Sequence, residues 1–453
     1  MSAAPGGRPA GTAGASPAGV DWSSRQLHFV GIGGAGMSGL ALIAHALGAD
    51  VSGSDRSESS YTTRLREHGI EPAIGHDAAN VPPGAEVVYS TAVPPDNPER
   101  QAARGRELHR ADLLAQIAAV KRCLAVTGTH GKTTTAAMIV HVLRASGLDP
   151  AYVVGGELRG TGTNAGLGSG DWIVVEADES DRSLLRLHPE IAVLTNAELD
   201  HHATYSSRLD LEATLREFMG RVSLNAVVWD RPGLRALCPP DAVAYDAPET
   251  IVSVHGSRFD WRGIDVSLSV PGLHNAINAA GALTAASLAG ADPDRAAAAL
   301  AGFQGARRRF ELLGQTRSGV PVYDDYAHHP TEVAATIAAA RTLAPRRLVA
   351  VFQPHLYSRT RALAHEFGRA LAGADLTVVL AVYPARERAE DFLGVDGHLV
   401  AVAAADAASG RRVAWFPTFD DARGFLAATL RSGDLCLMMG AGDVDALGRS
   451  LIV

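Results

Sequence analysis

The feature that most constrains this chain is a glycine loop set between a short apolar run and a helical pattern. The run occupies residues 124–127 and the loop reads Gly128-Thr129-His130-Gly131-Lys132-Thr133-Thr134. A strand that turns through glycines into a helix leaves backbone N–H groups and the positive end of the helix facing one point, which suits phosphate. Lys132 would neutralise terminal phosphates, and the Thr133 hydroxyl is placed to reach a magnesium ion. The usual phosphate-loop spacing asks for a glycine five residues before Gly131, where Val126 stands, so this is a variant of the motif.

The same grammar recurs along the chain. Apolar runs alternate with helical patterns, the signature of α/β folding around parallel strands. At 453 residues, three domains are expected. The expected boundaries are a disordered Gly/Ala/Pro-rich tail over 1–24, then units over 25–115, 116–308 and 309–453. In the first unit, the run 27–30 leads through Gly31-x-Gly33-x-x-Gly36 into a helix, and a second strand ends at Asp55. Such a turn brings backbone amides to a nucleotide diphosphate, without specifying NAD; glycines that serve packing alone are the alternative.

Polar residues collect where strands are expected to end, which is where open α/β sheets bind ligands. Glu176, Glu179 and Asp181 follow the run 172–175. Asn196, Glu198, Asp200, His201 and His202 follow the run 191–195. A carboxylate and an imidazole there suit the magnesium that bridges ATP phosphates, although any one of these carboxylates is more often a loop cap. Asn275 and Asn278 share one face of a helix start, which fits purine contact or helix capping. In the third unit, Arg309-Phe310-Glu311, Asp324-Asp325-Tyr326-Ala327-His328-His329 and His355-Leu356-Tyr357-Ser358-Arg359 lie at three different strand ends. The planar fork of an arginine suits phosphate or carboxylate. His329 also suits a cap before Pro330.

Composition excludes some classes. The net charge is −8, which argues against a nucleic-acid or anionic-membrane binder. No apolar run is long enough to span a bilayer, and no signal peptide is expected. Three scattered cysteines form no disulfide framework and fit a cytoplasmic protein. Only two lysines occur, Lys121 and Lys132.

The ordered set GIGGAGMSG, GTHGKTTT, EADESD, TNAELDH, LHNAIN, RRFE, DDYAHHPTE, FQPHLYSRT and YPARE resembles the Mur ligase family, over about 27–442. Within it, the resemblance is to the branch that adds L-alanine to UDP-N-acetylmuramate. It implies a Rossmann-like N-terminal domain, a phosphate-loop ATPase domain and a Rossmann-like α/β C-terminal domain that closes over both. It implies ATP and magnesium, an acyl-phosphate intermediate, and a chain that works as a monomer or homodimer. UDP-sugar contacts would come from Gly31, Gly33, Gly34, Ala35, Gly36, Met37 and Asp55. ATP contacts would come from Gly128 through Thr134, Asn275, Asn278, Arg309, Asp325 and His328. Tyr326, His328, His355 and Arg359 would receive the amino acid, and Thr133, Glu176 and His201 the metal. Lys132, Glu176, His201, Arg309 and Asp325 would carry catalysis.

Other readings leave motifs over. A dehydrogenase does not explain the GKT loop, and a phosphate-loop switch protein does not explain the third unit. The nearer rivals are sister ligases, one of which attaches a tripeptide to the same UDP-sugar.

Overall fold

A computed structural model describes residues 20–200, 204–253 and 255–452. Three sheets organise it. The first runs in the order Ala73–Ile74, Asp50–Asp55, Gln26–Val30, Glu86–Tyr89, Glu107–His109, all parallel. The second runs Val243–Tyr245, Asn225–Trp229, Ile191–Leu194, Arg122–Thr127, Trp172–Glu176, Ala151–Leu158, Thr163–Gly166, and only its last pair is antiparallel. The third runs Glu311–Gln315, Pro321–Asp325, Asp434–Met439, Arg347–Phe352, Leu376–Leu380, Arg412–Phe416, with only its first pair antiparallel.

Parallel strands covered on both faces read as unbroken apolar runs, which is why residues 191–194 (IAVL) and 173–175 (IVV) are wholly buried. The central sheet is covered on one face by the helices Lys132–Ala145 and Leu273–Leu288. Six of the eleven buried residues of the second are alanine, so the two helices approach closely, and Gly281 gives way to the Tyr245 ring, which a Cβ would meet at 2.8 Å. A small antiparallel sheet, Ile251–Ser253, Gly256–Trp261 and Ile264–Leu268, packs onto the same helix. There Trp261 Nε1 donates to Thr284 Oγ1 at 3.1 Å.

The first two units share one core. Leu40, Ile43 and Met37 of the helix Ala35–Ala46 pack with Val153, Ala165 and Val175 of the central sheet. Gly39 permits this approach, since a Cβ there would stand 3.2 Å from Asn164 Nδ2 and 3.4 Å from Val153 Cγ1. The expected tail over 1–24 is corrected at its end: Trp22–Ser24 form a short 3-10 turn, Asp21 caps it, and Trp22 is buried in this core. Residues 1–19 lie outside those described. The helix Arg110–Ala118 runs through position 115, so the first unit's last element ends at Ala118.

Candidate functional site

All three units face one cleft. Ala35 and Gly36 enter it from the first, Lys132, Thr133, Glu176 and Asp200 from the second, and Arg309, Tyr326 and His328 from the third. A second cavity, between the central and C-terminal sheets, adjoins it at Gly131 and is lined by Trp229, His274, Asn275, Asn278, Phe310 and Asp325.

The phosphate loop lies between these cavities and is strongly braced. Gly128 has φ 123° and Gly131 φ 79°, conformations that favour glycine. Gly128 also lies against the next strand end, where a Cβ would come within 2.3 Å of Thr195 Oγ1. Asn196 accepts from the His130 N–H and donates to the His130 carbonyl, both at 2.9 Å. Thr129 Oγ1 donates to the Glu198 carbonyl at 2.8 Å. The loop is therefore preorganised by residues at the end of Ile191–Leu194, a role the sequence pattern does not specify for Asn196.

Lys132 is fully engaged by groups of the chain itself. Its Nζ donates to Gly128 O at 2.7 Å, Thr129 O at 3.2 Å and Glu179 Oε2 at 2.8 Å. Burial works against its charge, but Glu179 and Asp178 beside it hold the ammonium above its ordinary value. Burial pushes the Glu179 carboxyl up as well. We take the pair as ionised, because three acceptors surround all three N–H donors of the ammonium.

Glu176 ends its strand with one carboxylate oxygen accepting from the Gly155 N–H and the other 3.1 Å from Thr133 Oγ1. A Cβ on Gly155 would crowd both Glu176 oxygens, at 3.1 and 3.2 Å, so glycine there keeps the space beside the carboxylate open. Burial raises its pKa, the condition of a carboxylate that a cation would stabilise. The residues present fit a hard divalent ion. His201 and His202 lie outside the described residues.

The structure gathers the C-terminal residues around Glu332, which the sequence pattern leaves without a role. His130 Nδ1 is 3.4 Å from Glu332 Oε1, Arg309 Nη1 is 3.7 Å from the same oxygen, and His328 Nδ1 is 3.3 Å from Oε2. Burial opposes the Glu332 charge, yet His328, His130 and Arg309 hold its carboxyl well below the usual range. Asp325 accepts from Phe310 N at 2.7 Å and Ala327 N at 2.8 Å; burial lifts its pKa to about 6 against the pull of Arg309. His328 and His355 are pushed down by burial, to about 4 and about 3, and are neutral near pH 7. His329 caps the helix Pro330–Thr342, accepting from Thr331 N at 3.4 Å.

Several expected residues brace the site more than they line it. Asp55 accepts from the Gly33 N–H at 2.8 Å and so fixes the first glycine turn, and Met37 is buried in the shared core. Gly31 has φ 78°, with its N–H donating to the Ser54 carbonyl. Asn275 Nδ2 donates to Pro271 O at 2.8 Å, and Asn278 packs against Gly131, where a Cβ would meet its Oδ1 at 2.6 Å. Leu356 has φ 69° and is buried. Glu157 carried no sequence signal: it is buried, with Arg64 of the first unit and Arg307 each 2.8 Å from its carboxylate.

Comparison with known proteins matches three family descriptions in order: "Mur ligase family, catalytic domain" over 26–122, "Mur ligase middle domain" over 126–286, and "Mur ligase, glutamate ligase domain" over 308–442. The chain is 45% identical to a UDP-N-acetylmuramate--L-alanine ligase of Mycolicibacterium smegmatis, over 94% of each chain. The crystal structure of a UDP-N-acetylmuramate-alanine ligase from Thermotoga maritima superposes with a TM-score of 0.81 at 28% identity, covering 94% of this chain and 98% of that one. A murein peptide ligase of Psychrobacter arcticus gives 0.70 at 25% identity, with the same coverage.

Proposed function

Because the chain belongs to the Mur ligase family, we propose that it joins L-alanine to the carboxylate of UDP-N-acetylmuramate at the expense of ATP, in peptidoglycan precursor synthesis. The observation that carries this reading is the single cleft where a glycine turn, a phosphate loop and a His/Arg cluster from three sheets meet. The identity to the mycobacterial alanine ligase supports the choice of substrates.

ATP occupies the cavity beside Asn275 and Asn278, with its phosphates on the loop 128–134 and Arg309 nearby. Lys132 exchanges Glu179 for the terminal phosphates. Thr133 and Glu176, with His201, would hold magnesium, which draws negative charge from the phosphate oxygens when bound. The UDP-sugar lies along the first glycine turn, with its carboxylate reaching the cleft past Ala35 and Gly36. An oxygen of that carboxylate attacks the γ-phosphorus, the bond to ADP breaks, and an acyl phosphate forms. The amine of alanine then attacks the acyl carbon, the bond to phosphate breaks, and the amine's proton passes to the departing phosphate. Both steps concentrate anionic oxygens, so positioned positive charge is the main catalytic term. Tyr326, His328, His355 and Arg359 would receive the alanine. Three free thiols, two of them buried, and the nucleotide substrates fit a cytoplasmic site of action. No described helix is long and apolar enough to cross a membrane.

Carboxylate-labelled substrate tests the chemistry. With 18O in the muramoyl carboxylate, one label should appear in the released phosphate. Unlabelled phosphate would exclude the acyl phosphate.

A further inference from the structure

We propose that His130, Glu198 and His329 form a binding site for an imidazole-preferring divalent cation of the zinc class, which staples the C-terminal sheet to the phosphate loop. His130 and Glu198 belong to the central unit and His329 to the C-terminal one. Among the described residues these three offer ligand atoms that all lie within 4.8 Å of one another. His130 Nε2 is 3.5 Å, and His329 Nδ1 3.7 Å, from Glu198 Oε2, and an ion on His329 Nδ1 would displace the 3.4 Å bond that this nitrogen accepts from Thr331 N. A tetrahedral ion with bonds of about 2.0–2.1 Å sets its ligands about 3.4 Å apart, so both contacts are within a few tenths of an ångström of that spacing. The two imidazole rings stand 4.4 Å apart, close enough for small side-chain rotations to bring them onto one ion.

The independent observation is His130 itself. It is 9% exposed, and its two ring nitrogens each face a carboxylate, Nε2 towards Glu198 and Nδ1 towards Glu332, which together favour its protonated form against burial. A divalent ion on Nε2 would displace that nitrogen's proton and take over its positive charge between the carboxylates. Glu332 stands 3.4 Å from His130 Nδ1, on the far side of the ring from Glu198. That is the arrangement in which a carboxylate holds a proton on one ring nitrogen and leaves the other for a metal. Two imidazoles and one carboxylate select zinc-like ions over magnesium, which prefers oxygen. The fourth position is left to solvent. The site is separate from Thr133 and Glu176.

His130 and Glu198 also line the nucleotide cavity. An ion between them and His329 holds that cavity's two walls together and obstructs nucleotide entry. This consequence rests on the ATP-binding reading, whereas the ion-binding test below contains no nucleotide, so the two can fail separately.

The test is equilibrium dialysis of the full chain, freed of metal, against Zn2+ alone, with Co2+ absorption as the reporter of tetrahedral imidazole ligation. His329→Asn keeps a good helix cap but removes the metal ligand. Glu198→Gln keeps an acceptor for Thr331 Oγ1, which donates to Glu198 Oε2 at 2.5 Å. The wild type should bind one ion more than either variant, or bind that ion at least tenfold more tightly, and should show a Co2+ band that both variants lose. If His329→Asn does not fold, Glu198→Gln alone decides the matter. Equal binding by wild type and a folded variant, or no imidazole-type Co2+ band in the wild type, would overturn the proposal.

Discussion

Arg359 donates from Nε to Asp200 Oδ1 and from Nη2 to Asp200 Oδ2, both at 2.9 Å, although the two residues belong to different units. Both are almost fully buried, and Arg359 Nη1 is also 3.0 Å from His355 Nδ1. A forked pair of this kind fixes orientation as well as distance. The guanidinium expected to grip the amino-acid carboxylate thus also latches the C-terminal unit onto the central one. Removing one partner of a buried pair costs about 3–5 kcal/mol. We predict that Arg359→Ala and Asp200→Asn each raise the Michaelis constants for ATP and alanine together. Steady-state kinetics checks this. A rise confined to alanine in Arg359→Ala, with Asp200→Asn unaffected, would show that the arginine serves only as a carboxylate ligand.

Lys132 gives a chemical prediction. Its ammonium is tied to Glu179 and must turn to ATP. The chain has no lysine after it, so no carbamoylated lysine can add a metal-binding carboxylate in the central unit. Activity at constant pH should therefore not respond to bicarbonate. An amine-reactive reagent, mapped by mass spectrometry, should inactivate through Lys132, with protection by ATP and magnesium. Inactivation that tracks Lys121, which donates to the Gly168 carbonyl at 2.7 Å away from the phosphate loop, would contradict this account.

Glu176 couples the loop threonine to the Gly155 backbone. Glu176→Ala should lower turnover at saturating ATP by about tenfold to hundredfold, as loss of a group from a metal's coordination shell does. Raising magnesium should recover part of the loss. Normal turnover with unchanged magnesium dependence would exclude Glu176 from the metal.

These predictions differ in how far the sequence alone could reach them. The phosphate loop was legible because strand, glycines and helix are contiguous, and the apolar run before them needs no tertiary context. The strand-end residues were legible for the same reason. The strands Ala151–Leu158 and Thr163–Gly166 were not, because Gly155 and Gly156 break the first run and the second is short and polar. Residues whose work is to join units were least legible. Glu157 and Asp200 act through arginines far away in the chain, and Glu332, which also caps its own helix locally, reaches the distant His130, so no local pattern marks these contacts.

The first unit contains a buried carboxylate with a pH signature. Glu99 accepts from Asn80 Nδ2 at 2.7 Å and from the Ser54 hydroxyl at 2.5 Å, and the Ser54 carbonyl in turn holds the Gly31 turn. Burial opposes its charge, but bonds from His28, Ser54 and Asn80 bring the carboxyl down to about 2. A depressed carboxyl contributes stability above its unfolded value, and that contribution is lost as pH falls through the folded one. Glu99→Gln should destabilise the first unit by about 1–3 kcal/mol at neutral pH. The gap from wild type should narrow as pH falls from about 5 towards 2. Hydrogen exchange in Gln26–Val30 reads this locally; a gap constant across that range would contradict the assignment.

The central claim concerns which amine is joined to the UDP-sugar. Purified protein given UDP-N-acetylmuramate, ATP, magnesium, and equal amounts of L-alanine and the tripeptide L-alanyl-γ-D-glutamyl-meso-diaminopimelate should be followed by mass spectrometry of the products. UDP-N-acetylmuramoyl-L-alanine should dominate, with one ADP and one phosphate released per molecule formed. Preferential formation of the tripeptide conjugate, or ADP release without an amide product, would contradict the account.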